Sequence, residues 1–174
     1  LTDELYEVID LFKKHPTLRI VKLDKNQGLG KALNEGMQFC SFEYIARMDS
    51  DDICLPTRFE KQILYLKEHP DIDVVGSWTQ EFTEDEKGRI KFSRTKKFPT
   101  TVWKNFKYSI YRCPVEHPAV MLRKAAVLSV GGYKEFYLFE DYYLWARMFV
   151  YGYKFANIPE TLLYFRMTKD SFKR

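Results

Sequence analysis

A chain of 174 residues, 45% hydrophobic and 30% charged, has the apolar content of one packed domain and excludes a disordered segment. Its net charge of +4 is too small to argue for nucleic acid, and no stretch is long and apolar enough to span a bilayer. Cys40, Cys54 and Cys113 form no CxxC pair and no zinc spacing, an odd set that favours a reducing, cytoplasmic setting.

Thr2 to Lys14 reads as a helix, with Leu5, Val8, Ile9 and Phe12 at helical spacing, acids at its start and lysines at its end. His15-Pro16 stops it. LRIVKL, Leu18 to Leu23, reads as a short strand, and the turn-forming DKNQGLGK leads into a helix from Leu29 to about Cys40. A strand over Tyr44 to Met48 ends on acids, and a helix follows from Pro56 to about His69. Pro56 suits the first turn, where its missing N–H has no partner to lose. Ile72 to Phe82 is the next strand. This alternation predicts an α/β domain with a mostly parallel sheet and crossover helices.

The second half is less regular. Glu84 to Gly88 reads as a hairpin turn, Arg89 to Phe92 as a return strand and Thr100 to Lys107 as a short helix. His117 to Tyr133 reads as a strand, then a helix ending at Gly131-Gly132. Glu140 to about Tyr151 forms a last helix and Tyr153 to Ala156 a last short strand. A doubly wound sheet normally opens with a strand, and this chain opens with a helix and with Leu1. The expectation is a fold that lacks its N-terminal strand.

Chemistry concentrates at YIARMDSDDICLP, Tyr44 to Pro56. Three packed carboxylates, Asp49, Asp51 and Asp52, repel one another and need a cation, a proton or a partner. On a strand, Asp49 and Asp51 point to one side and would form a small oxygen-ligand site suited to Mg²⁺ or Mn²⁺. An acidic loop leading into a helix explains these residues alone equally well. A second acidic pair, Glu140 and Asp141, falls at a helix N-terminus. There an ionised Asp could act as a general base, although ordinary first-turn acids are commoner.

Asn26, Gly28 and Lys31 lie in a strand-to-helix loop that could present N–H groups to a phosphate. GLGK lacks the spacing of a Walker A loop, and a plain turn is the simpler reading. His117 reads as a satisfied loop histidine. Lys87 to Lys107 holds eight Lys or Arg and no acid, interleaved with aromatics. It could meet a phosphate-bearing acceptor or an anionic membrane surface, or be a solvated hairpin and helix.

In order, NQGLGKALNEG, YIARMDSDDICLPTRFEKQ, HPAVMLRKAAVLSVGGY, FEDYYLWARM and LLYFR resemble the family 2 glycosyltransferases of the GT-A fold. The resemblance runs from about Leu18 to Ser171. It implies a Rossmann-like domain, residues 1–83 forming a nucleotide-sugar and metal half and residues 84–174 an acceptor half. It implies that Asp49 and Asp51 are the DxD pair, Asp51 ligating Mn²⁺ or Mg²⁺ and Asp49 lying nearer the ribose. Asp141 would be the base and Glu140 its neighbour positioning acceptor or base. Asn26, Gly28 and Lys31 would lie near the nucleotide.

The implied reaction inverts configuration in a direct displacement, moving a sugar from a nucleotide donor, a UDP-sugar first, to a glycan or lipid-linked acceptor. Against the family's pattern, the first strand is expected to be missing from this sequence. A His that many relatives carry two residues after the last Arg is also missing, since Thr168 follows Arg166 and Met167. Two rivals stand beside this reading: a non-catalytic sugar-nucleotide or glycan-binding domain, and a haloacid dehalogenase-type phosphatase with Asp49 as nucleophile. Peripheral membrane contact would run through residues 87–107 of a cytoplasmic protein.

Overall fold

The computed structural model describes residues 3–168. Two long strands form its spine: β3 (Val74–Glu84) and β6 (Phe155–Arg166) run parallel side by side. On one flank β5 (Met121–Arg123) pairs antiparallel with β3, and β1 (Tyr44–Ala46) pairs antiparallel with β5. On the other, the two-residue β2 (Ile53–Cys54) pairs antiparallel with β6. The order is β1-β5-β3-β6-β2, and β4 (Ile90–Lys96) adds to β3 as a hairpin.

The α/β class expected from the sequence holds, but the sheet is mixed: among the described residues only the β3–β6 pairing is parallel. The reason is local. A 3-10 turn over His117–Ala119 delivers the chain into β5 against the direction of β3, whereas helices carry it back to β6 in the same direction.

Alternation along the strands sorts the core into two layers. Val74, Leu122 and Phe155 join one cluster; their chain neighbours Val75, Met121 and Ala156 join the other. The first layer is covered by α2 (Leu29–Gln38), α5 (Lys124–Ser129) and α6 (Glu140–Val150), which contribute Met37, Val127, Leu144, Trp145 and Met148. The second is covered by α3 (Arg58–Glu68) through Leu66, and by Val102 of α4 (Val102–Ser109). Full burial of side chains such as Trp145 and Leu66 contributes about 2–3 kcal/mol each.

Close approach explains two glycines. A Cβ on Gly76 would lie 2.1 Å from the Asn157 side-chain oxygen, across the parallel pair. Gly132, at φ 66°, would meet Asn34 Oδ1 at 2.5 Å; that oxygen accepts the Tyr133 N–H and fastens the Gly-Gly turn to α2.

Two expectations change. The strand expected over Leu18 to Leu23 does not form, because no described strand lies alongside to pair with it, and Leu18, Ile20 and Val21 are exposed. A groove of about 900 Å³, lined by Leu18, Val21, Phe39, Tyr44 and Ala46 among others, separates this segment from β1. The last strand is far longer than Tyr153 to Ala156. Pro159 and Glu160 bulge out of the β3–β6 register between Ile158 and Thr161, so the proline without an N–H interrupts the ladder without ending it. Helix α1 (Asp3–Phe12) forms as expected but buries none of its residues.

Candidate active site

Strand β1 delivers the first acidic group. One residue past its end, the Arg47 N–H donates to Val120 O at 3.0 Å, extending the pairing to β5. Arg47 and Asp49, two apart, face the same way, and the buried guanidinium grips the carboxylate with both terminal nitrogens. The distances are 2.7 Å from Nη1 to Oδ2 and 2.6 Å from Nη2 to Oδ1. Such a fork-to-fork pair fixes orientation as well as charge.

Arg58 fixes the loop from below. Fully buried on α3, it donates from Nη2 to Arg47 O at 2.7 Å and to Val120 O at 3.1 Å. Its Nε donates to Gln62 Oε1 at 3.0 Å. Gln62 Nε2 then donates to Val75 O and Ala119 O. The Arg and Gln that follow the acidic motif at helical spacing are therefore a scaffold, stapling β1, β3 and the 3-10 turn beneath the carboxylates.

The end of β6 closes the loop from the other side. The Arg166 N–H donates to Asp52 Oδ1 at 2.8 Å and its Nε donates to Asp51 O at 2.7 Å, while its Nη1 pairs with Glu84. One carboxylate oxygen from each of Asp49, Asp51 and Asp52 lies within 4.8 Å of the others. Burial pushes Asp52 up from 3.8 to about 6, opposed by the Arg166 N–H and reinforced by Asp51 and Asp49. Its Oδ2 is buried without a hydrogen-bond partner. The Asp51 side chain is exposed, with no partner among the described residues. Three clustered hard oxygen donors, one of them free at the surface, fit a divalent Mg²⁺ or Mn²⁺ ion.

The second acidic group comes from the start of α6. Leu138, at φ 63°, turns the chain in a conformation unusual for a non-glycine residue, and Phe139 caps the helix. Asp141 is largely buried; burial raises its carboxyl pKa, the Tyr142 N–H opposes this and Glu140 adds to it. The Tyr142 N–H donates to Oδ1 at 2.6 Å, and the Cys113 thiol lies 3.8 Å from Oδ2. Burial also pushes the Cys113 thiol strongly up, so it stays protonated and can only donate.

One cleft of about 530 Å³ is lined by Asp49 from the first group and by Glu140 and Asp141 from the second, whereas Asp51 and Asp52 do not line it. Arg47 and Asp49 line it on one side, Glu140 and Asp141 on another, with Cys113 and His117 between. His117 is buried and shares a hydrogen bond of 2.8 Å with the Tyr133 hydroxyl. Burial holds its pKa well below the usual value, so it is neutral. Of the residues expected near the nucleotide, Asn26, Gly28 and Lys31 do not line the cleft. Asn26 Oδ1 accepts the Gly28 N–H at 2.9 Å in an ordinary turn, and Lys31 faces Glu135 at 3.9 Å. Leu29 lines it from that segment.

Sequence reasoning missed Arg47, Arg58, Gln62 and Arg166. Arg47 had a readable signal, since it stands two before Asp49 and so shares its strand face.

Comparison with known proteins gives the same picture. The model of glycosyl transferase family 2 matches residues 2–127. An uncharacterized glycosyltransferase of Haemophilus influenzae is 39% identical over 174 residues, 100% of this chain and 63% of its own. The amylovoran biosynthesis glycosyltransferase AmsE of Erwinia amylovora is 42% identical over 153 residues, 88% of this chain and 56% of its own. An Escherichia coli UDP-Gal:alpha-D-GlcNAc-diphosphoundecaprenol beta-1,3-galactosyltransferase is 38% identical, over 100% of this chain and 62% of its own. The chain thus spans less than two thirds of the length of these relatives.

Among solved structures, S. aureus TarS 1-349 superposes with a TM-score of 0.67 at 18% identity, over 94% of this chain and 48% of its own. The mannosyltransferase PcManGT from Pyrobaculum calidifontis, in complex with GDP-Man and Mn²⁺, reaches 0.67 at 14% identity, over 97% and 46%. Those likenesses are of fold, the GT-A class expected from the sequence. The family match leaves the phosphatase reading without support. The chain belongs to glycosyl transferase family 2.

Proposed function

We propose that this chain carries the catalytic cleft of a metal-dependent, inverting glycosyltransferase. The observation that carries the proposal is the single cleft lined by both Asp49 and Asp141. A reaction between a diphosphate-bearing donor and a hydroxyl acceptor needs a charge-holding site and a base facing one space.

Residues 1–83 form the donor half. A divalent cation, Mn²⁺ or Mg²⁺, held by Asp51 with Asp49 beside it, would neutralise charge on the departing nucleoside diphosphate. Asp49, oriented by Arg47, faces the ribose. Arg58 and Arg166 keep the loop in place without touching substrate. Residues 84–174 form the acceptor half. Asp141 accepts the proton of the acceptor hydroxyl as that oxygen bonds to the anomeric carbon. The bond from that carbon to the diphosphate oxygen breaks on the opposite face, so configuration inverts in one step. Partial burial suits Asp141 to this task, because a carboxylate stripped of water binds a proton more readily. Glu140 lines the same wall and positions the acceptor.

The E. coli relative's name supports a UDP-sugar donor and a lipid-linked acceptor, and the amylovoran relative's supports a glycan product. The Mn²⁺ in the mannosyltransferase complex supports a divalent ion.

The test is release of UDP from UDP-hexoses with Mn²⁺ and a sugar-diphospholipid acceptor. Asp141→Asn should lower turnover by roughly a hundred- to ten-thousand-fold, as expected for loss of a general base, with unchanged circular dichroism. Turnover within a few-fold of wild type would remove Asp141 from the mechanism. A fully folded wild type inactive on every donor and acceptor would favour the binding-domain reading.

A further inference from the structure

Helix α4 carries an aromatic, cationic face that the reaction does not use. Trp103, Phe106 and Ile110 follow helical spacing, and Tyr111 comes next; their exposures are 61%, 42%, 60% and 83%. Trp103 stacks on Phe106 at 5.9 Å between ring centroids, and Lys107 lies 4.9 Å over the Trp103 ring. The opposite side of the helix is anchored. Asn105 is buried and donates to Pro99 O and Thr101 O, and it accepts from Asn157. Phe106 also meets the Phe149 ring at 5.8 Å, so Trp103, Ile110 and Tyr111 are the side chains held outward on this support.

Charge says what this face fits. No Asp or Glu occurs from Lys87 to Arg112. Within that span, Lys97, Lys104, Lys107 and Arg112 have no acidic partner among the described residues. The β3–β4 hairpin, equally basic in sequence, is different. There Arg89 pairs with Asp85, Arg94 with Glu81 and Lys96 with Glu116, while Phe92 packs against Phe82 and Tyr164. Three of the hairpin's five cations are thus answered by acids, Lys87 and Lys91 being the exceptions, whereas neither lysine of α4 has an acidic partner among the described residues.

We infer that α4 and Tyr111 dock this protein on an anionic lipid bilayer, aromatic side chains entering the headgroup region and the lysines meeting lipid phosphates. Amphipathic segments with Trp and Phe on one face and Lys on their flanks bind such surfaces by both terms at once. The placement gives the docking a purpose. Tyr108, in the last turn of α4, and Arg112, three residues past its end, line the cleft that holds Asp141, and the Tyr142 hydroxyl donates to Ser109 O at 2.5 Å. The cleft wall is thus tied to the docking helix, and a sugar on a lipid diphosphate reaches Asp141 while its tail stays in the bilayer. The inference extends the acceptor side of the proposed function, but bilayer binding needs no turnover, so each can fail without the other.

The test is co-sedimentation of the full chain with vesicles of phosphatidylcholine and phosphatidylglycerol in equal parts, and with phosphatidylcholine alone. Wild type should pellet with the anionic vesicles several-fold more than with the neutral ones. Lys104→Glu/Lys107→Glu and Trp103→Ser/Ile110→Ser should each lower that fraction several-fold. These positions are exposed, and circular dichroism checks the fold. Lys87→Glu/Lys91→Glu in the hairpin should pellet like wild type. Anionic vesicles should also shift the tryptophan emission to the blue, and Trp103→Phe should abolish the shift. Wild type remaining in the supernatant, or α4 variants pelleting like wild type, would overturn the proposal. So would a loss confined to the hairpin variant.

Discussion

Asp49 and Asp141 line the same cleft, yet their surroundings differ in kind. Asp49 is held by two guanidinium nitrogens at 2.7 and 2.6 Å, on a loop braced from beneath by Arg58 and from the side by Arg166. Asp141 has no cation within hydrogen-bonding reach among the described residues. Its contacts are a neighbouring backbone N–H and a thiol, and burial favours its proton. The first arrangement holds a carboxylate in one orientation against a buried counter-charge, as a group that handles a cation or a polar ligand needs to be. The second keeps a carboxylate ready to take a proton. Two acidic motifs that look alike in sequence are thus separated in chemistry by the cations around them.

The comparison can be broken most severely at the brace. Arg58→Ala leaves Arg47 O, Val120 O and Gln62 Oε1 with lost partners in a closed interior, at a cost of about 3 kcal/mol in unfolding free energy. Chemical denaturation measures it, and a change below about 0.5 kcal/mol would show that the loop holds itself. Arg47→Met keeps the volume but removes the counter-charge from Asp49. Nucleotide binding should weaken by about 1.5–3 kcal/mol, roughly ten- to a hundredfold in Kd by calorimetry. Arg47 also lowers the Asp141 pKa, so at saturating donor the acid limb of UDP-hexose turnover should move to higher pH, by less than the effect on binding.

The smallest effect is electrostatic. Turnover requires ionised Asp141, so it falls as pH drops through that group's pKa. Because the pKa is raised above 3.8, the acid limb begins at higher pH than for an ordinary aspartate. Glu140 contributes to the rise, so Glu140→Gln should move the limb to lower pH. A pH–rate profile reads this directly, and an unmoved limb would dissociate the two acids.

Much of this fold was readable because its signals are local. The helices at α1, α2, α3 and α6 and the core of β3 announce themselves through apolar spacing and stops such as His15-Pro16. Strand polarity was not readable, since nothing in MLR reveals that β5 runs against β3. The two residues of β2 are too short to alternate, and nothing in the sequence reveals that the last strand continues past Pro159 by bulging. LRIVKL shows the converse: strand propensity without a pairing neighbour leaves an exposed segment. At the site, the carboxylates were legible because acids crowd there. Their cations were not, apart from Arg47, because Arg58 and Arg166 arrive from a helix below and from a strand more than a hundred residues later.

Calorimetric titration of UDP into this chain, with and without Mn²⁺, tests the central claim most directly. The account predicts binding that requires Mn²⁺, disappears in Asp51→Ala and survives in Asp141→Asn. Binding indifferent to Mn²⁺, or unchanged by Asp51→Ala, would contradict the assignment of the metal and diphosphate to the Asp49–Asp52 loop.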